Sequence, residues 1–108
     1  MEKELEKGKE YSNGKLKFEG EYLNGKRNGK GKEYYNFDKL SFDGEYKDGQ
    51  RNGIGKEYIL NTNKLIFEGE YVNRKRNGKG KKYDYDGNLI FEWEYLNGKR
   101  TGKGKRIF

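Results

Sequence analysis

The sequence predicts an all-β protein, an elongated single-layer antiparallel sheet of tandem β-hairpins. Three observations carry that expectation. A seven-residue phrase recurs as LKFEGEY (16–22), LSFDGEY (40–46), LIFEGEY (65–71) and LIFEWEY (89–95), at steps of 24, 25 and 24 residues. Inside it, apolar or glycine positions alternate with charged ones, which is the period of a strand. After it comes a basic turn and a glycine pair, as in LNGKRNGKGKEY, where Asn-Gly is a strong hairpin signal. A fixed period of this size marks an array whose units are single supersecondary elements.

The 108 residues form one array, read as a partial unit (7–15) and four full units (16–39, 40–64, 65–88 and 89–108). In the first full unit, Leu16, Phe18, Gly20 and Tyr22 share one face of a strand. Lys17, Glu19 and Glu21 take the other. Asn24 to Gly29 form the turn, and Lys30 onward resumes a strand. The segments between units change length by a residue at a time, as connecting loops do. MEKELEK at the start is read as a frayed helical turn or an unordered end.

A lone sheet needs a way to bury its rings. If the two strands pair across the basic turn, Phe18, Gly20 and Tyr22 share a face with Gly31. Rings can lie over glycine, where no side chain competes. On the opposite face, Glu19 and Glu21 meet Lys32 and Lys30. Each such cross-strand pair contributes about 0.2–1 kcal/mol. The same pairing recurs for Asp43/Glu45, Glu68/Glu70 and Glu92/Glu94 against Lys56, Lys79/Lys81 and Lys103/Lys105.

Composition bounds the rest. Leu, Ile, Val and Phe make up 20 of 108 residues, a share low enough to suggest disorder. Ten Tyr, one Trp and the repeat argue against that reading. The net charge of +7 favours acidic partners. There is no Cys, so no disulfide or thiolate site is expected. No apolar run suits a leader or a membrane span, which points to the cytoplasm, with a peripheral place at a membrane or the cytoskeleton as the alternative.

Aromatic-x-Gly-x-aromatic followed by N-G-K-x-x-G-x-G, at a step near two dozen residues, resembles the MORN repeat. The resemblance runs from about Gly8 to Ile107 and is specific because it matches four times in succession. It implies hairpin repeats in an elongated, twisted, single-layer sheet. It also implies structural roles for Phe18, Gly20, Tyr22, Gly29, Gly31 and their equivalents. Members of that family serve mainly as interaction modules, some binding partner segments along a groove and others sitting at membranes. The chain departs from the pattern in three ways. Asn28, Asn52, Asn77 and Thr101 stand where His is frequent, and there is no His at all. Arg74 replaces a turn glycine, so that turn either changes type or holds Arg74 in a left-handed conformation. Trp93 replaces the glycine equivalent to Gly20, where its ring covers a neighbour or meets a partner.

Catalysis is not expected, nor is any cofactor or metal. Without His or Cys there is no nucleophile–imidazole pair. Ser12, Ser41, Thr62 and Thr101 are scattered. DYDGN (84–88) starts like a calcium loop but lacks the later acidic ligand, so it reads as a turn. The glycine-rich stretches lack the spacing and the following helix of a phosphate loop.

Two functions remain. One is a protein-binding scaffold using an aromatic surface of Phe18, Tyr22, Phe42, Tyr46, Phe67, Tyr71, Phe91, Trp93 and Tyr95, with a homodimer as another use of that surface or of the end strand. Any one of these rings has the alternative role of only holding the sheet together. The other is binding of anionic phospholipid, phosphoinositide included, through basic turns. These turns carry Lys26, Arg27, Arg51, Arg74, Lys75, Arg76, Lys99 and Arg100, which lack an obvious carboxylate opposite. Each basic residue near an anionic leaflet contributes about 1 kcal/mol. A solvated edge that keeps the sheet soluble is the alternative. Nucleic acid is disfavoured, because the acidic ladder dilutes the field and no binding motif is present.

Overall fold

The computed structural model describes residues 4–36 and 38–107. Among these residues, nine strands form one antiparallel sheet in sequence order. They are β1 (Glu6–Ser12), β2 (Lys15–Leu23), β3 (Lys26–Tyr35), β4 (Lys39–Lys47), β5 (Gln50–Ile59), β6 (Lys64–Val72), β7 (Lys75–Tyr83), β8 (Leu89–Leu96) and β9 (Lys99–Arg106). There is no helix among the described residues. Glu6 and Lys7, placed in a possible helical turn by the sequence, belong to β1 because they pair with Tyr22 and Glu21 of β2. Met1 to Lys3 of that stretch lie outside the described residues.

The hairpin turns are shorter than expected. Asn24 and Gly25 alone make the first basic one, with φ of 53° and 77°. Two consecutive positive φ values define the type I′ turn, whose twist matches the flanking strands. Residues Lys26 to Gly29, expected in the turn, are already in β3. The extra residues go into a bulge. Between the Gly20–Gly31 and Tyr22–Arg27 pairs, Glu21 alone faces Asn28, Gly29 and Lys30. The Glu21 carboxylate enters this bulge and accepts the Lys30 N–H at 2.7 Å. Glu45 and Glu70 do the same for the N–H groups of Ile54 and Lys79. In the last unit the Thr101 hydroxyl accepts the Lys103 N–H instead, at 3.3 Å. Arg74 adopts the left-handed conformation, with φ of 76°, and keeps the same turn type.

Register places glycines in a line across the sheet. Gly8, Gly20, Gly31, Gly44, Gly55, Gly69 and Gly80 are successive partners, and the line continues through Trp93 to Gly104. Phe18, Phe42 and Phe67 each lie over two of them. A Cβ on Gly31 would stand 2.4 Å from Phe18 Cζ. Phe18, Phe42 and Phe67 are 0–1 % exposed, and Tyr46, Tyr71 and Tyr95 complete the core. Neighbouring rings meet edge to face, as Phe18 does with Tyr22 at 5.8 Å and Tyr46 at 5.1 Å. The core therefore lies on one face of a single layer.

The DYDGN segment is a turn, as expected. The Asp84 carboxylate accepts the N–H groups of Asp86 and Asn88 and the Asn88 side-chain amide. These bonds, the Asn88 backbone first, hold its carboxyl below the usual range.

Candidate interaction surfaces

On the ring face, Glu10, Phe18, Glu33, Phe42, Glu57, Phe67, Lys82, Phe91 and Arg106 are successive register partners. Arg27 of β3 reaches over Phe18 of β2 to Glu10 of β1. Its Nε and Nη2 donate to the carboxylate at 2.8 and 3.0 Å, while its Cζ lies 4.0 Å from the Phe18 centroid. The Tyr22 hydroxyl donates to the same carboxylate at 2.7 Å. Arg51 and Tyr46 hold Glu33 in this way, with Arg51 4.0 Å from Phe42. Arg76 and Tyr71 hold Glu57, with Arg76 3.8 Å from Phe67. Phe18, Phe42 and Phe67 thus each have a glycine floor, tyrosine edges and a guanidinium roof. The roof closes the ring off from water, and the carboxylate fork fixes the roof in place.

Protonation follows from these contacts. The Arg27 hydrogen bond outweighs desolvation and brings the Glu10 carboxyl down to about 2. Burial pushes Glu33 and Glu57 up, but the arginine and tyrosine hydrogen bonds prevail and both lie below the ordinary value. Burial, then the glutamate bond, raises the Tyr22 phenol to about 12. The same causes push Tyr46 and Tyr71 up.

These facts correct two expectations. Phe18, Phe42, Phe67, Tyr46 and Tyr71 are core, not a surface open to a partner. Tyr22, Phe91 and Trp93 are partly buried, and Tyr95 is 9 % exposed. Arg27, Arg51 and Arg76 do have carboxylate partners, on the strand two positions back rather than on the neighbouring one. Of the basic set, Lys26, Arg74, Lys75, Lys99 and Arg100 are exposed. The sheet brings their turns to one edge, where successive hairpins bond backbone to backbone, Gly49 to Arg27, Arg74 to Arg51 and Gly98 to Arg76.

The opposite face carries a feature that residue patterning did not single out. Lys9, Glu19, Lys32 and Asp43 begin a register row that alternates in sign on every strand and ends with Glu92 and Lys105. A second row, with Glu21, Lys30, Glu45 and Glu70, runs beside it. Between them lies a channel floored by backbone at the glycine line. It opens into a hollow of about 730 Å³ over Gly8, Gly20 and Gly31. A second, of about 590 Å³, lies over Gly69, Gly80 and Gly104. The expected charge ladder is real in register but loose in contact. Among the described residues, Lys105–Glu92 at 3.8 Å is its one ion pair. The Tyr34 and Tyr83 hydroxyls bond Glu19 and Glu68 of the ladder instead.

Trp93 lies over Gly104, where an added Cβ would meet Trp93 Cδ2 at 2.6 Å. Its ring stands edge-on to Phe91 at 5.9 Å. It covers its neighbour, one of the two roles the sequence offered.

No curated protein matches the chain. A family model, described as the MORN repeat, matches residues 18–36, 42–59, 67–89 and 94–108. Those matches cover most of the chain and coincide with the hairpins described above, so the chain belongs to the MORN repeat family.

Proposed function

We propose that the chain is a non-catalytic protein-interaction module that scaffolds a partner by holding an extended polypeptide segment in the glycine-floored channel. The observation that carries this reading is the asymmetry of the two faces. Phe18, Phe42 and Phe67 are sealed under arginine, whereas the other face keeps an open channel with charged walls. Walls of alternating sign fix the register of a charged segment, and a floor without side chains admits close approach. A photo-crosslinking residue at Ile54 or Lys32, both exposed in the channel walls, is expected to capture a partner chain, and one at Lys26 is not. Capture from Lys26 with none from Ile54 and Lys32 contradicts the proposal.

A second reading is attachment to an anionic phospholipid surface at the turn edge. It is favoured by the exposure of Lys26, Arg74, Lys75 and Lys99 on one edge. No helix among the described residues is long and apolar enough to cross a membrane. Replacing Lys26, Lys75 and Lys99 with Gln is expected to reduce pelleting with phosphoinositide liposomes. Unchanged pelleting, or none by the parent chain, removes this reading.

A further inference from the structure

The four units are close enough in register to serve as controls for one another, and the last departs from the others, besides Trp93 and Thr101, at a position that changes sign of charge. In the first three, an arginine and a tyrosine converge on a carboxylate, Glu10, Glu33 or Glu57. The fourth unit keeps the tyrosine, Tyr95, and the arginine, Arg100. The residue paired with Phe91, where the carboxylate belongs, is Lys82. Register therefore puts a lysine where the other three units hold the acid.

The geometry responds as expected. Arg100 is exposed and has left the phenylalanine, its Cζ lying 6.0 Å from Phe91 against 3.8–4.0 Å in the other units. It rests 4.9 Å from the Trp93 ring instead. Neither Arg100 nor Tyr95 bonds a carboxylate among the described residues. The Trp93 Nε1–H beside them is buried without an acceptor. Charge is concentrated here as well. Residues 75–108 hold ten of the 25 basic residues but only four of the 18 acidic ones, so six of the seven net positive charges lie in this part.

We infer that the fourth unit carries an open carboxylate seat, formed by the Tyr95 hydroxyl, the Arg100 guanidinium and the Lys82 ammonium, that takes an Asp or Glu side chain of an acidic polypeptide partner. The arginine fork matches a carboxylate in two parallel bonds. Lys82 adds the charge that an incoming anion needs and that an internal glutamate would neutralise. Phe91 and Trp93 are only partly buried, so they give apolar walls on which the residues flanking that acid can lie. A polypeptide supplies both the acid and the flank. This inference rests on the interaction-module reading above and names the chemistry of the partner.

The test is an NMR titration with an N-acetylated, C-amidated hexaglutamate, with hexaglutamine as its uncharged control. Shifts are expected at the Arg100 Nε–H, the Trp93 indole N–H and the Lys82 and Tyr95 amides. Lys82→Glu is expected to weaken the peptide by about tenfold or more by filling the seat internally. Lys47→Glu, at an exposed lysine outside the seat and both hollows, changes net charge equally and is expected to leave most of the affinity. Without any peptide, Lys82→Glu is expected to move the Arg100 Nε–H resonance and raise the melting temperature by about 2–5 °C. The inference is overturned if shifts follow the turn lysines, if the two charge reversals weaken binding equally, or if phosphoinositide vesicles but not the peptide compete for Arg100. It is also overturned if Lys82→Glu leaves the Arg100 signal and the melting temperature unchanged. That last measurement needs no partner, so it judges the seat separately from the channel crosslinks that judge the module reading.

Discussion

Arg27 roofs Phe18. Its guanidinium carbon stands 4.0 Å from the ring centroid, and the ring beneath is 0 % exposed. A single-layer sheet has no second layer to bury its rings. Here Phe18, Phe42 and Phe67 are each enclosed instead by glycine below, tyrosines at the edges and a salt-bridged arginine above. The arginine is held at both ends of its reach, by the ring and by Glu10 one strand further on. Each of these three forks therefore ties three consecutive strands together.

The carboxylate forks make stability fall in acid. Glu10 titrates at about 2 in the fold against an ordinary 4.5, and Glu33 and Glu57 are also lowered. A lowered folded value means the unfolded chain takes up protons first. The stabilisation is complete above about pH 4.5 and is lost as pH falls towards about 2. Urea midpoints measured from neutral pH downwards should hold steady to about pH 5 and then drop. A flat profile through that window contradicts the forks.

Gly55→Ala should destabilise by about 1–3 kcal/mol through overpacking. The new Cβ would lie 2.4 Å from Phe42 Cζ and 3.0 Å from Tyr71 Cε1, and Arg51 prevents the Phe42 ring from retreating. Gly14→Ala meets nothing within 4 Å, so only its φ of +76° opposes it, at about 1 kcal/mol. Chemical denaturation of the two variants tests the contrast, and equal losses contradict the ring seat.

Arg74→Gly should stabilise by about 0.5–1 kcal/mol. Relief of the left-handed strain at φ 76° exceeds the extra freedom that glycine gives the unfolded chain. The Arg74 N–H bond to the Arg51 carbonyl uses only backbone and survives the change. A lower denaturation midpoint than the parent contradicts this account of the turn.

Much of this architecture was legible in the sequence. The 24-residue step, the alternation in LKFEGEY and the Asn-Gly pairs led to the hairpins, and Phe18 over Gly31 followed from period two. The length of the turn did not, because Lys26 to Gly29 read as turn until register showed Glu21 opposing three residues. The arginine forks were missed for a related reason. Alternation predicts the nearest strand only, whereas Arg27 meets Glu10 two strands away and 17 residues back. The signal was present all the same, since a glutamate recurs in GKEY in step with each arginine and becomes lysine in GKKY at Lys82. The channel was not legible either, because it lies between two rows of charged side chains that only the register across successive strands lines up.

The central claim is that the Arg–Glu fork over Phe18, Phe42 and Phe67 holds each of those units together. A double-mutant cycle on Arg51→Met and Glu33→Gln measures it most directly, with Arg100→Met as a unit lacking the acid. The fork predicts a coupling of about 1.5–3 kcal/mol between Arg51 and Glu33, with Arg100→Met within about 0.5 kcal/mol of the parent. A coupling below about 0.3 kcal/mol, or an equal loss from Arg51→Met and Arg100→Met, contradicts it.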